Sequence, residues 1–258
     1  MLVSLLSNLA RAVQSKRLRW VVIVVLPLWI LASFFAAQLL VLGGMYALSW
    51  AGVPLSDISQ TLLLTVATAI VYAFMLAIVV GVPWLLFKSA TTKQDVGLTR
   101  PMSWGDLGFA PLGFIVYFII SAILAYGVGQ LLPGIDLKQL QETGFDHVTQ
   151  YYQYIFALVS LVVIAPFAEE LIFRGYLYGK LRKFMPVWVA MLLTSVLFGL
   201  IHGQWNVAID VFALSMVLCG LREITGSIWA GVLLHMIKNG IAYYVLFIYP
   251  LLSHTMGG

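Results

Sequence analysis

The fold class this sequence predicts is all-α: a polytopic membrane bundle of about seven or eight transmembrane helices. Three observations predict it. Hydrophobic residues make up 62% of the 258 positions and charged residues only 9%, against roughly 45–50% and about 25% in a soluble domain. Mean hydropathy is +1.01. Apolar runs of ~20 residues, the length a helix needs to cross the hydrocarbon core, follow one another with polar joints between them. No stretch is long and polar enough for a soluble domain, so residues 1–258 read as a single integral membrane domain.

The runs are 20–48, 58–87, 108–132, 151–180, 186–203, 205–221 and 227–252. Each is expected to be helical, because backbone groups in lipid must find partners within their own segment. "MLVSLLSNLARAVQSKRLRW" precedes the first run and reads as an amphipathic lead-in. Its charges follow its short apolar piece, which is the wrong order for a signal peptide. The second run stops at "KSATTKQDVGLTRPMSW" and the third at "PGIDLKQLQETGFDHVTQ". The fourth begins at a tyrosine belt of Tyr151, Tyr152 and Tyr154 and continues past Pro166 to the basic cluster Lys180, Arg182 and Lys183. Pro166 should loosen the helix just above it, since it lacks a backbone donor. Trp20, Trp50, Trp104 and Trp188 stand near run ends, where aromatic belts sit. Residues 1–150 supply N-terminal helices and loops, and residues 151–252 the helical core carrying the chemistry.

Lysines and arginines set the expected orientation. With the N-terminus in the cytoplasm, Arg11, Lys16, Arg17, Arg19, Lys88, Lys93, Arg100, Lys180, Arg182, Lys183 and Arg222 all fall inside. Lys138 alone falls outside, beside Asp136, Glu142 and Asp146. This is the bias of the positive-inside rule, and a bacterial cytoplasmic membrane is the expected location. The net charge of +4 therefore reflects topology. No basic face interleaved with aromatics is present, so nucleic acid is excluded as a partner. The one cysteine, Cys219, lies in an apolar run and reads as a small buried hydrophobe.

Against this background "PFAEELIFRG" stands out. Counting back from Lys180 places Glu169 roughly 17 Å up the helix at 1.5 Å per residue, deep in the membrane, where a carboxylate is costly and calls for a function. Glu170 and Arg174 are four apart with the acid first, the order that favours a same-face ion pair. Glu169 is rotated about 100° away and is left free to exchange a proton. "VLFGLIHGQWN" places His202 deep in the next run, and "LLHMIKNG" places His235 and Asn239 four apart on one face. An acid and an imidazole can polarise a water, while a second histidine and an asparagine can donate to a forming oxyanion. That set suits hydrolysis of a peptide bond without a covalent intermediate. Glu169, His202 and His235 would also serve as ligands if a zinc ion binds, although HExxH is absent and no cofactor is required by the sequence. No serine stands beside these residues with an obvious base. Lys238 and Asp210, both inside runs, are expected either to pair with each other or, for Lys238, to snorkel or to point into the site. His147 and His254 lie in outer segments and are assigned no function.

Glu169-Glu170 with Arg174 (EExxxR), Phe198 with His202 (FxxxH) and His235 with Asn239 (HxxxN), in that order, resemble the signature of the CPBP family of intramembrane proteases. This is the family of CAAX proteases and bacteriocin-processing enzymes, also called the abortive-infection family. "VGLTRP" at 96–101 and "TGSIW" at 225–229 also look like family segments. The resemblance implies an all-helical membrane endopeptidase. In it Glu169 and His202 activate water, His235 and Asn239 stabilise the oxyanion, and Glu170 and Arg174 support them. It implies a peptide or membrane-protein substrate, prenylated in the eukaryotic branch. Two other classes compete: a membrane scaffold that keeps the fold without cleavage, and a proton-coupled transporter. The absence of a repeated half weighs against the transporter.

Overall fold

The computed structural model describes residues 16–256 apart from Lys138, Leu140, Asp146 and His147, and side chains within 20–252. Arg11, the lead-in before Lys16 and His147 therefore lie outside the described residues, as does the His254 side chain. Among the described residues all regular structure is helical, in seven helices. These are α1 (Lys16–Trp50), α2 (Gln60–Phe87), α3 (Trp104–Leu131), α4 (Tyr151–Leu181), α5 (Val187–Leu200), α6 (Trp205–Thr225) and α7 (Trp229–Leu252, continuing to Met256).

Five of the seven are long and apolar enough to cross a bilayer: α2, α3, α4, α7 and, from Trp20 onward, α1. The protein is an integral membrane protein. Seven helices are expected and seven are present among the described residues, and α5 and α6 are the two outside this group of five. α5 has 14 residues, about 21 Å of helix, shorter than the ~30 Å core and than the expected run 186–203. α6 has 21 residues, with Asp210 in its first half and Arg222 and Glu223 in its last turn.

The local causes are legible in most ends. Ser103 caps α3 reciprocally with Asp106, each side chain bonding the other's backbone N–H. Gly226 ends α6 in the left-handed conformation that suits a glycine cap. α4 runs unbroken from the tyrosines to Leu181, as expected. Its turns widen to the π form at Val159–Ile164, just before Pro166, and again at Glu170–Tyr178. The first widening is where the proline's missing donor frees carbonyls.

α4 occupies the centre. Buried Ile172, Phe173, Tyr176, Leu177 and Tyr178 pack on Phe198 of α5, on Ile30 and Ala37 of α1, and on Met75 and Val79 of α2. A second core joins α3, α6 and α7 through Tyr117, Leu214, Leu218 and Leu234. The outward faces of α1 and α3 expose rows of Val, Leu, Ile and Phe, as lipid-facing helices do.

One end of the bundle gathers the basic residues. There Lys183 pairs with Asp95 at 2.6 Å, Arg182 with Glu223 at 2.7 Å and Arg100 with Asp106 at 2.5 Å. The Lys183 hydrogen bond, helped by Thr92, holds the Asp95 carboxyl well below the usual carboxylate range. The two loop segments singled out above clasp each other here. Ser227 Oγ and the Ile228 amide both donate to the Gly97 carbonyl, at 3.1 and 3.2 Å, and Trp229 Nε1 donates to the Arg100 carbonyl at 3.0 Å. Gly97 adopts φ +73°, and a Cβ on it would lie 2.7 Å from the Arg222 guanidinium, so both conformation and space ask for glycine.

Candidate active site

At the start of the second widening of α4, the adjacent Glu169 and Glu170 are set on different faces. Glu170 and Arg174 are fully buried and joined at 2.9 Å. The Phe198 ring lies against the Arg174 guanidinium at 4.3 Å, close enough for a cation–π contact. Gly231 of α7 makes room for this pair, since a Cβ there would sit 2.9 Å from Glu170 Oε2.

Glu170 also meets His235. Nδ1 of His235 lies 3.1 Å from Glu170 Oε1. A carboxylate only accepts, so the proton sits on Nδ1 and Nε2 faces the other way. There it is 3.7 Å from Glu169 Oε2. The two adjacent glutamates thus address opposite nitrogens of one ring.

His202 is held by its own helix. Nδ1 donates to the Phe198 carbonyl at 2.7 Å, which again leaves Nε2 free to accept. Phe198 meets both imidazoles edge-on, at 4.9 Å to His202 and 5.9 Å to His235. The aromatic in FxxxH is therefore the ring around which Arg174, His202 and His235 are packed. Asn239 uses Nδ2 to donate to the Leu161 carbonyl at 2.9 Å. That carbonyl belongs to the widened turn ahead of Pro166. One amide hydrogen of Asn239 remains for another acceptor.

Glu169, His202, His235 and Asn239 line one cavity of about 210 Å³, together with Lys238, Ser160, Thr68 and Tyr72. Gln141, Glu142, Thr143 and Phe145, from the segment between α3 and α4, cover one end of it. That segment is tied to the α5–α6 turn, where Gln204 accepts from the Glu142 amide at 2.9 Å and Asn206 donates to the Gln139 carbonyl at 2.7 Å. Glu170 and Arg174 stand behind the cavity.

Lys238 does two of the things expected of it. It lines the cavity, and its Nζ lies 3.3 Å from Asp210 Oδ2. Tyr117 and Ser121 of α3 both donate to Asp210 Oδ1, at 2.6 and 2.8 Å. Cys219 is fully buried.

Tyr72 of α2 was not anticipated. Its hydroxyl donates to Glu169 Oε1. A tyrosine in an apolar run looks like any belt or core aromatic. The faint signal is that Thr61, Thr65, Thr68 and Tyr72 recur at four, three and four residues, one polar stripe on an otherwise apolar helix.

No group of three His, Cys, Asp or Glu side chains among the described residues is arranged to hold a metal ion. Glu169, His202 and His235 share the cavity without forming such a set, so no chemical step is routed through a metal here.

Residues 151–241 match the Rce1-like family of type II CAAX prenyl endopeptidases. The stretch covers EExxxR, FxxxH and HxxxN, and over it the resemblance read from those motifs is borne out. Tyr72 and the Gly97 loop lie outside it. Among curated proteins, the UPF0177 protein YbdI of Lactococcus lactis is 36% identical over 94 residues, 36% of this chain and 50% of that protein. A Bacillus subtilis protein named "Putative membrane peptidase YdiL" is 26% identical over 147 residues, 57% of this chain and 56% of that protein. An uncharacterized 24.3 kDa protein of Escherichia coli is 30% identical over 87 residues, 32% of this chain and 40% of that protein. The chain spans about half the length of the curated relatives it matches. No solved structure matches it.

Proposed function

We propose that this protein is an intramembrane endopeptidase of the CAAX-protease kind, which hydrolyses a peptide bond with a water activated by Glu169 and His202. The observation that carries this reading is the convergence on one cavity of Glu169 from α4, His202 from the turn after α5, and His235 and Asn239 from α7. His202 Nε2 accepts a hydrogen bond from the water, its other nitrogen being committed to Phe198. Glu169 takes the proton as the water attacks and returns it to the leaving amine. Asn239 donates its remaining amide hydrogen to the oxyanion. His235, with Nδ1 committed to Glu170, donates from Nε2 only as the imidazolium, so its part in the oxyanion site requires the protonated ring. Glu170 orients that ring and, with Arg174, holds α4 and α7 in register.

The substrate is a peptide or membrane-bound protein that reaches the cavity past the α3–α4 segment or from the lipid. The basic end of the bundle lies in the cytoplasm, with the N-terminus, in agreement with the positive-inside rule.

The test compares the peptides that accumulate in membranes of cells making the wild-type protein with those of cells making Glu169→Gln, His202→Ala, His235→Ala or Asn239→Ala. Each variant should reach the wild-type level of protein yet lose cleavage by about 100-fold or more, leaving one shared set of peptides uncut. Unchanged cleavage by Glu169→Gln would overturn the assignment of the base.

A further inference from the structure

The two oxygens of Glu169 are used unequally. Oε2 faces Nε2 of His235 at 3.7 Å. Oε1 accepts the hydroxyl of Tyr72, reaching in from α2. His202, whose Nε2 is also free, and Lys238 line the same cavity. α2 has no charged residue from Gln60 to Phe87 and brings only Thr68 and Tyr72 to the cavity, and Tyr72 lies far outside residues 151–241, the stretch that matches the endopeptidase family.

We infer that Tyr72 is a positioning residue for Glu169: its hydroxyl fixes one carboxylate oxygen and so turns the other toward the reacting water. The inference rests on the reading of Glu169 as the base. A carboxylate side chain has a broad terminal torsion, and neither backbone nor ring packing fixes which oxygen points into the cavity. A charge-assisted hydrogen bond to one oxygen does. On its other face α2 meets α1, where Trp29 donates to the Val79 carbonyl at 3.4 Å. Thr65 is spent chiefly within α2, its Oγ1 lying 2.9 Å from the Thr61 carbonyl and 3.3 Å from the Phe156 carbonyl of α4.

Tyr72→Phe keeps the ring and removes only the hydroxyl, so the fold should survive. On any peptide the wild type cleaves, kcat should fall about 10- to 100-fold with KM unchanged, the size expected for loss of one hydrogen bond to a charged group. Thr65→Val, which disturbs the same helix pair away from Glu169, should leave both constants near wild type. A second readout needs no substrate. Dicyclohexylcarbodiimide modifies carboxyl groups in apolar surroundings by bonding to a carboxyl oxygen, and in the wild type the Tyr72 hydroxyl occupies one oxygen of Glu169. Labelling of Glu169, mapped by mass spectrometry in detergent-solubilised protein, should rise several-fold in Tyr72→Phe and not in Thr65→Val. Wild-type kcat, or wild-type labelling, in Tyr72→Phe overturns the inference. Retained cleavage by Glu169→Gln instead sinks the proposed function, and the labelling experiment still decides whether Tyr72 governs Glu169.

Discussion

Glu170 holds His235 through Nδ1 at 3.1 Å while it pairs with Arg174 at 2.9 Å, both through the same oxygen, Oε1. One buried carboxylate therefore sets the ring orientation on α7 and neutralises a guanidinium on its own helix. It does both without entering the cavity.

Removing Glu170 should cost more than activity. Glu170→Ala leaves Arg174 buried with no carboxylate, a change of about 3–5 kcal/mol, and the protein should accumulate poorly. Adding Arg174→Met should restore much of the protein but not cleavage, because His235 still lacks its orienting partner. Immunoblots and thermal midpoints of the single and double variants decide it. A stable Glu170→Ala protein would show that the pair is dispensable.

Gly231 should not tolerate a methyl group. The added carbon would lie 2.9 Å from Glu170 Oε2, inside van der Waals contact with a group that has no room to retreat. Gly231→Ala should lower stability by about 1–3 kcal/mol, the usual range for overpacking, and reduce cleavage with it. A thermal scan that matches wild type would contradict this.

Asp210 and Lys238 should prove unequal partners. Lys238→Met leaves Asp210 with two hydroxyl donors, whereas Asp210→Asn leaves Lys238 a charge inside the bundle. Asp210→Asn should therefore be the more damaging, and the double variant should recover about 1–3 kcal/mol relative to the sum of the singles. Additive losses in denaturation midpoints would mean the 3.3 Å contact carries no coupling.

The Asp95–Lys183 pair predicts an acid limb. Asp95 is depressed in the folded protein, so its contribution is fully present above the unfolded carboxylate value of about 3.9. It is lost as pH falls through that value toward the folded one. Wild type should melt higher than Asp95→Asn near neutrality, and the gap should begin to narrow below about pH 4. A gap that stays constant down to pH 3 would rule the linkage out.

Hydropathy made most of the helices legible, because an apolar run of span length has few other uses. It overstated α5, read as 186–203 and observed as the 14 residues Val187–Leu200. The candidate site stood out for a related reason. Polar and ionisable groups in lipid are costly enough that Glu169, Glu170, His202, His235 and Asn239 contrast with their neighbours. What stayed hidden were contacts between helices. Spacing along α4 pairs Glu170 with Arg174 but says nothing of His235, and nothing along α2 distinguishes the hydroxyl of Tyr72 from that of a belt tyrosine. Phe198 shows the same limit. Its motif position was visible, while its place among Arg174, His202 and His235 required three helices to be assembled.

The clasp between Gly97 and Ser227 joins positions 130 residues apart. During synthesis, the loop after α2 emerges long before its mate, and its carbonyl stays with water until Ser227 and Ile228 have left the ribosome. Closing this clasp is thus a late event, and any chain cut short before Ser227 leaves the translocation machinery without it.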